Sequence, residues 1–389
     1  MAAILLSSTL LSLVIWLFLI LFWGQFWRVD QQLEASKNID INTLPTVCVI
    51  VPARNEADVI PISLRSLLLQ DYPGNFTILL VDDGSSDDTA NFAQGVAQSL
   101  DKTQQLQIVS STSLPTGWTG KLWAMEQGVQ TAQTLNPTPD YFLLTDADIE
   151  HDPSNLRRLV AKAQAQKLDL VSIMVRLRCQ SFWEQLLIPA FVFFFQKLYP
   201  FTWVNNPKKA IAAAAGGCIL IHREALNRIG GLQIIRQALI DDCSLAKAVK
   251  SSQGKIWLGL STSTISLRPY DSLKTIWDMV ARSAYTQLNY SPFLLIGSLL
   301  GMILVYLLPP IGIIFGLVLG NWIITLASFI AYLLMTFAYL PITRFYKCSL
   351  AFAFSLPIIA FLYTLMTIDS ALQHWQGRGG AWKGRVYAK

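Results

Sequence analysis

Two long charge-free regions bracket an acid-studded middle, and that arrangement limits the folds open to this chain. Residues 4–23 run from Ile4 to Trp23 without a charge, Ser291–Leu340 does the same, and Ser349–Thr367 is a further apolar stretch. About 20 apolar residues suffice for a helix to cross a hydrocarbon core of about 30 Å, and a buried soluble helix rarely needs such lengths. Across the 389 residues the charged fraction is 14% and the hydrophobic fraction 53%, whereas soluble domains carry roughly 25% charge. The apolar excess sits at the ends, leaving a middle of ordinary domain size.

The first apolar run competes with a signal peptide. No basic stretch precedes it and no small-residue cleavage site follows, so residues 1–27 are expected to be a retained transmembrane anchor. A linker follows over 28–44. The C-terminal membrane region is expected over 286–370, with spans near 292–308, 318–340 and 349–367. Pro309 and Pro310 are the expected break, because proline lacks an amide donor and disfavours helix before it. Lys and Arg near spans mark the cytoplasmic side. Arg28, Arg344 and Lys347 then put the acidic middle in the cytoplasm, within a multi-pass protein of the cell membrane. The basic tail 371–389, with Arg378, Lys383, Arg385 and Lys389, supplies four positive charges beside a net charge of +5. Three C-terminal crossings would carry that tail outside, against the charge rule. Either the last apolar segment re-enters without crossing or the spans number differently.

Cys48, Cys179, Cys218, Cys243 and Cys348 form no CxxC pair and no metal-ligand spacing, and read as isolated core thiols in a reducing compartment. Basic residues form no stripe with interleaved aromatics, which argues against a nucleic-acid partner. Nothing in the chain sets an oligomeric state.

The middle alternates strand and helix patterns. Thr46–Val51 is an apolar strand candidate, Ile60–Leu69 has helical periodicity, Thr77–Val81 is a second strand, Asp88–Leu100 a helix and Tyr141–Leu144 a further strand. This alternation predicts an α/β sheet with its site at the carboxyl ends of the strands. Arg54, Asn55 and Glu56 follow the first strand, and Asp82, Asp83 and Gly84 the second. They serve either to recognise a nucleotide or to make a tight turn. Asp146 and Asp148 in TDADIEHDP follow the third strand one residue apart. Both can converge on one hard divalent cation, which would offset charge on a phosphorylated leaving group; a plain acidic turn is the alternative. His151 reads as a turn residue rather than a ligand. In PTGWTGKLWAMEQG, residues 115–128, Lys121 can approach phosphates or snorkel at the surface, and the glycine pattern is not that of a Walker A loop. Asp241 and Asp242 can supply a general base, Asp242 preferred, or cap the following helix. Gly216 and Gly217 leave room for a ligand or simply turn the chain.

The motifs VPARNEAD, VDDGSSDDT, GKLWAMEQG, TDADIEHDP, AAAAGGCILIHREAL and IDDCSLA, in this order, make residues 45–285 resemble the inverting family 2 glycosyltransferases of GT-A fold. The anchor, GWTGKLWA, RSAYTQL and the C-terminal apolar region resemble the hopene-associated members more narrowly. The resemblance implies a nucleotide-sugar-binding GT-A domain over 45–285, a nucleotide-diphosphate sugar donor and Mg²⁺ or Mn²⁺. It implies nucleotide contact at Asp83, metal and diphosphate at Asp146 and Asp148, and a catalytic base at Asp242. Arg54, Glu56, Lys121 and Arg282 are expected on the donor, and Asp241 beside the base. The membrane polysaccharide synthases of this group carry QxxRW, of which Met279–Ser283 keeps only Arg282, so polymer translocation is not expected. The expected reaction moves a sugar to a hydroxyl of a lipid acceptor, a hopanoid by the narrower resemblance. Carotenoid, sterol and glycerolipid acceptors are the alternatives, as is a non-catalytic sugar-nucleotide-binding scaffold.

Overall fold

The computed structural model describes residues 2–34 and 44–378, with the backbone of 381–382 and 385–386. The linker residues 35–43, Lys383 and Lys389 fall outside the described residues, as does the side chain of Arg385. In β1 (Val47–Ala53), Cys48 and Ile50 join the apolar core on one face of the sheet, and Val47, Val49, Val51 and Ala53 join that on the other. Successive strand side chains point to opposite faces, so a strand apolar at every position is one covered on both sides.

β2 (Phe76–Asp82), β3 (Leu106–Ser110), β4 (Tyr141–Thr145), β5 (Ile149–Glu150), β6 (Leu170–Arg176), β7 (Cys218–His222) and β8 (Ile256–Ser266) complete an eight-stranded sheet of order β3-β2-β1-β4-β7-β6-β8-β5. β3, β2, β1 and β4 run parallel, which brings the carboxyl ends of β1, β2 and β4 to one edge. β7 is antiparallel to both β4 and β6. Its first residue, Cys218, therefore lies opposite Thr145, the last residue of β4. That reversal sets Gly216 and Gly217 beside Asp146, whose amide donates to the Gly217 carbonyl at 3.4 Å. The start of the linker is docked: Leu33 donates to the Leu260 carbonyl, and Glu34 accepts from Ser261 and Ser263 of β8.

Among the described residues four segments are long and apolar enough to cross a membrane: Ala2–Phe22, Pro292–Val318, Trp322–Phe345 and Leu350–Trp375. The expected break at Pro309–Pro310 is absent. Helix runs through both prolines to Val318, with a wide i→i+5 turn at Ile303–Leu307 just before them. Such a turn absorbs the lost amide donor and the ring's clash with the preceding turn. The chain reverses instead at Gly320, where φ is +63°, and the Asn321 side chain caps the next helix by accepting from the Ile323 and Ile324 amides. The N-terminal helix is locked in by Trp16, fully buried, whose indole donates to the Val305 carbonyl at 2.8 Å and meets the Tyr306 ring edge-on.

The last apolar segment lies along the acidic domain. Near its start Phe352 packs on Phe182, midway Tyr363 donates to the Leu187 carbonyl, and near its end Asp369 accepts from Trp277 at 2.7 Å. Contacts with residues 45–285 thus run from one end of this segment to the other. The thiols also differ from expectation: Cys179 and Cys348 are not isolated, their sulfurs standing 3.5 Å apart where the loop after β6 meets the end of the Trp322–Phe345 helix. Their sequence separation hides a contact that only folding creates.

Gly312 and Gly316 let the Pro292–Val318 helix approach its neighbours closely. A Cβ on Gly316 would stand 2.7 Å from the Thr325 amide nitrogen, and one on Gly312 2.9 Å from Thr9 Cγ2. Small residues four apart permit this contact between apolar helices. Gly316→Val is expected to cost about 1–3 kcal/mol by overpacking, read as a lower Tm in detergent. Gly301→Val, with nothing within 4 Å, serves as the control, and equal Tm in the two variants would refute this packing.

Candidate functional site

Glu56 follows β1, Asp146 and Asp148 follow β4, and Asp241 and Asp242 open the helix Asp241–Ser251; all five carboxylates line one cavity of about 530 Å³. So many like charges repel unless cations intervene. Lys121, second residue of the helix Gly120–Gln133, lies 2.7 Å from Asp146 Oδ1 and 3.6 Å from Asp241 Oδ2. Burial works against its ammonium form, yet Asp146 and Asp241 together hold it protonated above the ordinary lysine range. Snorkelling at the surface is thereby excluded for Lys121.

Arg268, just past β8, plays the same part on the other side. Its Nε donates to Asp148 Oδ2 at 2.8 Å and its Nη2 to Glu56 Oε1 at 3.1 Å. Burial first, and then the charge of Asp146, raise the Asp148 carboxyl; Arg268 opposes them. Sequence reasoning missed Arg268. Its only signal is a basic residue just beyond a strand end, and the strand that carries it lies far along the chain from every acidic motif.

Asp242 does not cap its helix. The helix begins with no side-chain cap, and Asp242 Oδ2 reaches across to accept from the Gly216 amide at 2.8 Å while Oδ1 accepts from the Cys243 amide. A Cβ on Gly216 would lie 3.3 Å from Asp242 Oδ2, so glycine leaves the carboxylate room at this approach. Burial, then the neighbouring Asp241 charge, push the Asp242 carboxyl up to about 6 against the pull of these amides and Lys121. A carboxylate with pKa near neutrality is well matched to taking and giving a proton. Close by, burial and the Cys243 and Asp242 neighbours raise the Tyr199 hydroxyl, which accepts from Gln287 of the RSAYTQL segment; both residues line the cavity, and Tyr199 was not read from the sequence.

Arg54 and Asp83 stand together beyond the cavity wall at the ends of β1 and β2. Arg54 Nη1 lies 3.7 Å from Asp83 Oδ2 and donates to the Asp83 carbonyl. The turn role falls to Asp82, whose Oδ1 accepts from Ser85, while Gly84 takes φ +66°. Arg282 lines the cavity on its other side. His151 is buried, and burial lowers its pKa to about 3. Thr145 Oγ1 donates to the Gly217 carbonyl and stands 3.0 Å from His151 Nε2; Asn155 Nδ2 stands 2.9 Å from His151 Nδ1. These contacts assign a neutral ring that donates from Nε2. It braces the turn after Asp148 and has no lone pair left for a metal.

Among the described residues no three His, Cys, Asp or Glu side chains gather into a protein-only metal cage. Asp146 and Asp148 offer two carboxylates, each already facing a cation. That donor set suits a hard divalent ion that takes its other oxygens from phosphates and water.

Residues 48–230 match the family model described as glycosyl transferase family 2. It is 26% identical over 208 residues to a beta-monoglucosyldiacylglycerol synthase of Trichormus variabilis, covering 52% of this chain and 41% of that protein. It is 29% identical over 120 residues to an undecaprenyl-phosphate 4-deoxy-4-formamido-L-arabinose transferase of Pseudomonas fluorescens, covering 30% of this chain and 32% of that protein. The matches thus span less than half of these relatives. A mannosyltransferase of Pyrobaculum calidifontis, solved in complex with GDP-Man and Mn²⁺, superposes with a TM-score of 0.55 at 19% identity, covering 95% of this chain and 99% of that one. The fold is accordingly GT-A-like.

Arg268→Met leaves Asp148 and Glu56 without their cation. The expected loss is about 1–2 kcal/mol, below that of a fully buried pair because solvent reaches the arginine. Mn²⁺ is expected to raise the Tm of the variant more than that of wild type, since the ion takes the place of the guanidinium. No Tm response to Mn²⁺ in either protein would eliminate Asp146 and Asp148 as a cation site.

Proposed function

We propose that this protein transfers a sugar from a nucleotide-diphosphate donor to a hydroxyl of a membrane lipid, inverting the anomeric centre. The observation that carries this reading is the cavity itself. One wall holds Asp146, Asp148, Asp241 and Asp242; another is built from Phe191, Phe194, Met302 and Tyr363, the last two on membrane-length helices. A charged reaction centre open to an apolar wall suits a lipid whose polar end must meet a water-soluble donor. Cavities of this size, apolar with a few convergent polar groups, are the usual form of ligand sites.

In this reading the donor's diphosphate lies toward Asp146 and Asp148, with Lys121, Arg268 and Arg282 on its oxygens. Arg54, Asp83 and Glu56 are assigned to the nucleotide end, at the carboxyl ends of β1 and β2. Mg²⁺ or Mn²⁺ held by Asp146 and Asp148 would supply charge stabilisation to the departing diphosphate. Asp242 takes the proton of the acceptor hydroxyl as its oxygen bonds to the anomeric carbon. The bond to the diphosphate breaks on the opposite face, and the nucleotide diphosphate leaves with that electron pair. Asp241 sets the proton affinity of Asp242 and shares Lys121 with Asp146.

The resemblance to hopene-associated members points to a polycyclic isoprenoid alcohol as acceptor. The match to a diacylglycerol glucosyltransferase supports a glycerolipid instead. Membrane placement with the acidic domain in the cytoplasm follows from the basic residues Arg28, Arg344 and Lys347 under the charge rule. Transfer from a panel of labelled nucleotide sugars into native lipid extract, with mass analysis of the product, tests the reaction and identifies both substrates; no transfer from any donor would overturn the proposal.

Asp242→Asn is expected to lower turnover by about 10²–10⁴-fold with a small fall in Tm, because the amide can accept only one of the two backbone hydrogen bonds. The base works only when ionised, so kcat/KM should rise with pH through about 6. Asp241→Asn removes a charge that raises the Asp242 pKa, and is expected to shift that limb to lower pH. An unmoved limb would show that another group titrates.

A further inference from the structure

Among the described residues four cations line the cavity: Lys121, Lys197, Arg268 and Arg282. Lys121 and Arg268 are each shared between two carboxylates, and Arg282 is open to solvent. Lys197 differs from all of these. It sits in the last turn of the helix Phe182–Leu198, where its carbonyl accepts from the Trp23 indole at 2.8 Å and so ties that turn to the end of the N-terminal helix. Its ammonium donates to Tyr306 Oη at 2.8 Å and stands 4.6 Å from the Tyr306 ring centroid and 5.6 Å from that of Phe194. Phe194 in turn packs against Tyr363 at 5.0 Å.

No carboxylate among the described residues pairs with Lys197, and burial alone lowers its pKa to about 8. The hydroxyl uses one of its three protons. Aromatic faces compensate a cation only in part, and a half-buried charge without a counter-charge still bears part of the desolvation cost. The cavity is the open side of this ammonium, so the missing anion arrives as part of a ligand. Around it the wall is apolar, with Phe194, Phe195, Met302 and Tyr363, and the commonest anionic group of membrane lipids is a phosphate ester.

We infer that Lys197 is an anion subsite at the membrane end of the cavity, holding the phosphate of a lipid whose hydrocarbon lies among Phe194, Met302 and Tyr363. The inference rests on the lipid-acceptor reading and narrows it. The acceptor carries a phosphate as well as the hydroxyl that reacts, as the phosphodiester headgroup of a glycerolipid does, and a neutral polycyclic alcohol fits less well. Tyr306 positions the ammonium, and Lys121 and Arg268 are held back by their carboxylates for the donor.

The test is binding without donor, using the full chain in maltoside micelles. Dodecyl phosphate, phosphatidylglycerol, diacylglycerol, dodecanol and inorganic phosphate are titrated against wild type, Lys197→Met and Lys197→Arg, followed by tryptophan fluorescence and native mass spectrometry. Lys197→Met is expected to weaken at least one phosphate lipid about tenfold, a difference of about 1.4 kcal/mol. Lys197→Arg should retain affinity within about threefold, and diacylglycerol should bind all three proteins alike. The lipid whose affinity depends on Lys197, monoester or diester, identifies the source of the phosphate. Equal affinity of wild type and Lys197→Met for both phosphate lipids overturns the inference, as does Lys197-dependent binding of inorganic phosphate alone. Should Lys197→Met fail to fold, wild type still decides: about tenfold tighter binding of dodecyl phosphate than of dodecanol is expected, and no preference overturns the inference. Because no sugar nucleotide is present, absence of transfer would sink the proposed reaction while leaving this result intact.

Discussion

Lys121 and Arg268 let carboxylates from three separate parts of the chain stand together at one sheet edge. Lys121 bridges Asp146 and Asp241, and Arg268 bridges Asp148 and Glu56. Without these two cations, five carboxylates around one cavity would repel one another or take up protons. In the proposed reaction a metal ion on Asp146 and Asp148 would displace these cations and leave them to meet phosphate oxygens. Charge-assisted contacts of this kind are strong enough to set geometry and weak enough to exchange.

The reversal of β7 is the second constraint. Three parallel strands deliver Glu56, Asp83 and Asp146 to a common edge, but the parallel pattern alone brings nothing from the later half of the chain there. Because β7 runs against β4, the Gly216–Gly217 turn arrives beside Asp146 and its amide fixes Asp242. The same amide lowers the Asp242 pKa while burial and Asp241 raise it, and the balance leaves the group near neutrality. From there the cavity opens toward Phe194, Met302 and Tyr363. The carboxylate cluster and the apolar wall are thus parts of one space, and Lys197 stands where the two meet.

Much of this was legible in the residues. The strand candidates at 77–81 and 141–144 lie within observed strands and that at 46–51 starts one residue early, because short, largely apolar runs leave little choice of structure. Lys121, Glu56, Asp146, Asp148, Asp241, Asp242 and Arg282 all reach the cavity. The prolines misled: a local rule placed a break at Pro309–Pro310, and packing against the N-terminal and following helices kept the helix whole through a widened turn. Arg268, Lys197 and Tyr199 carried no motif at all. Each gains its meaning from a neighbour more than a hundred residues away in sequence, Asp148 for Arg268 and Tyr306 for Lys197, or from the Asp241–Ser251 helix packed against Tyr199.

By itself, then, the sequence determined the alternating sheet, the membrane-length helices and the carboxylates at strand ends. These follow from local periodicity and from the obligation of apolar segments to leave water. Only the tertiary structure decided which cations neutralise those carboxylates, that Asp242 turns to the Gly216 amide instead of capping its helix, and that the last apolar helix lies along the domain. Those outcomes depend on electrostatic and packing partners brought together by strand order, and strand order is not written in any one segment.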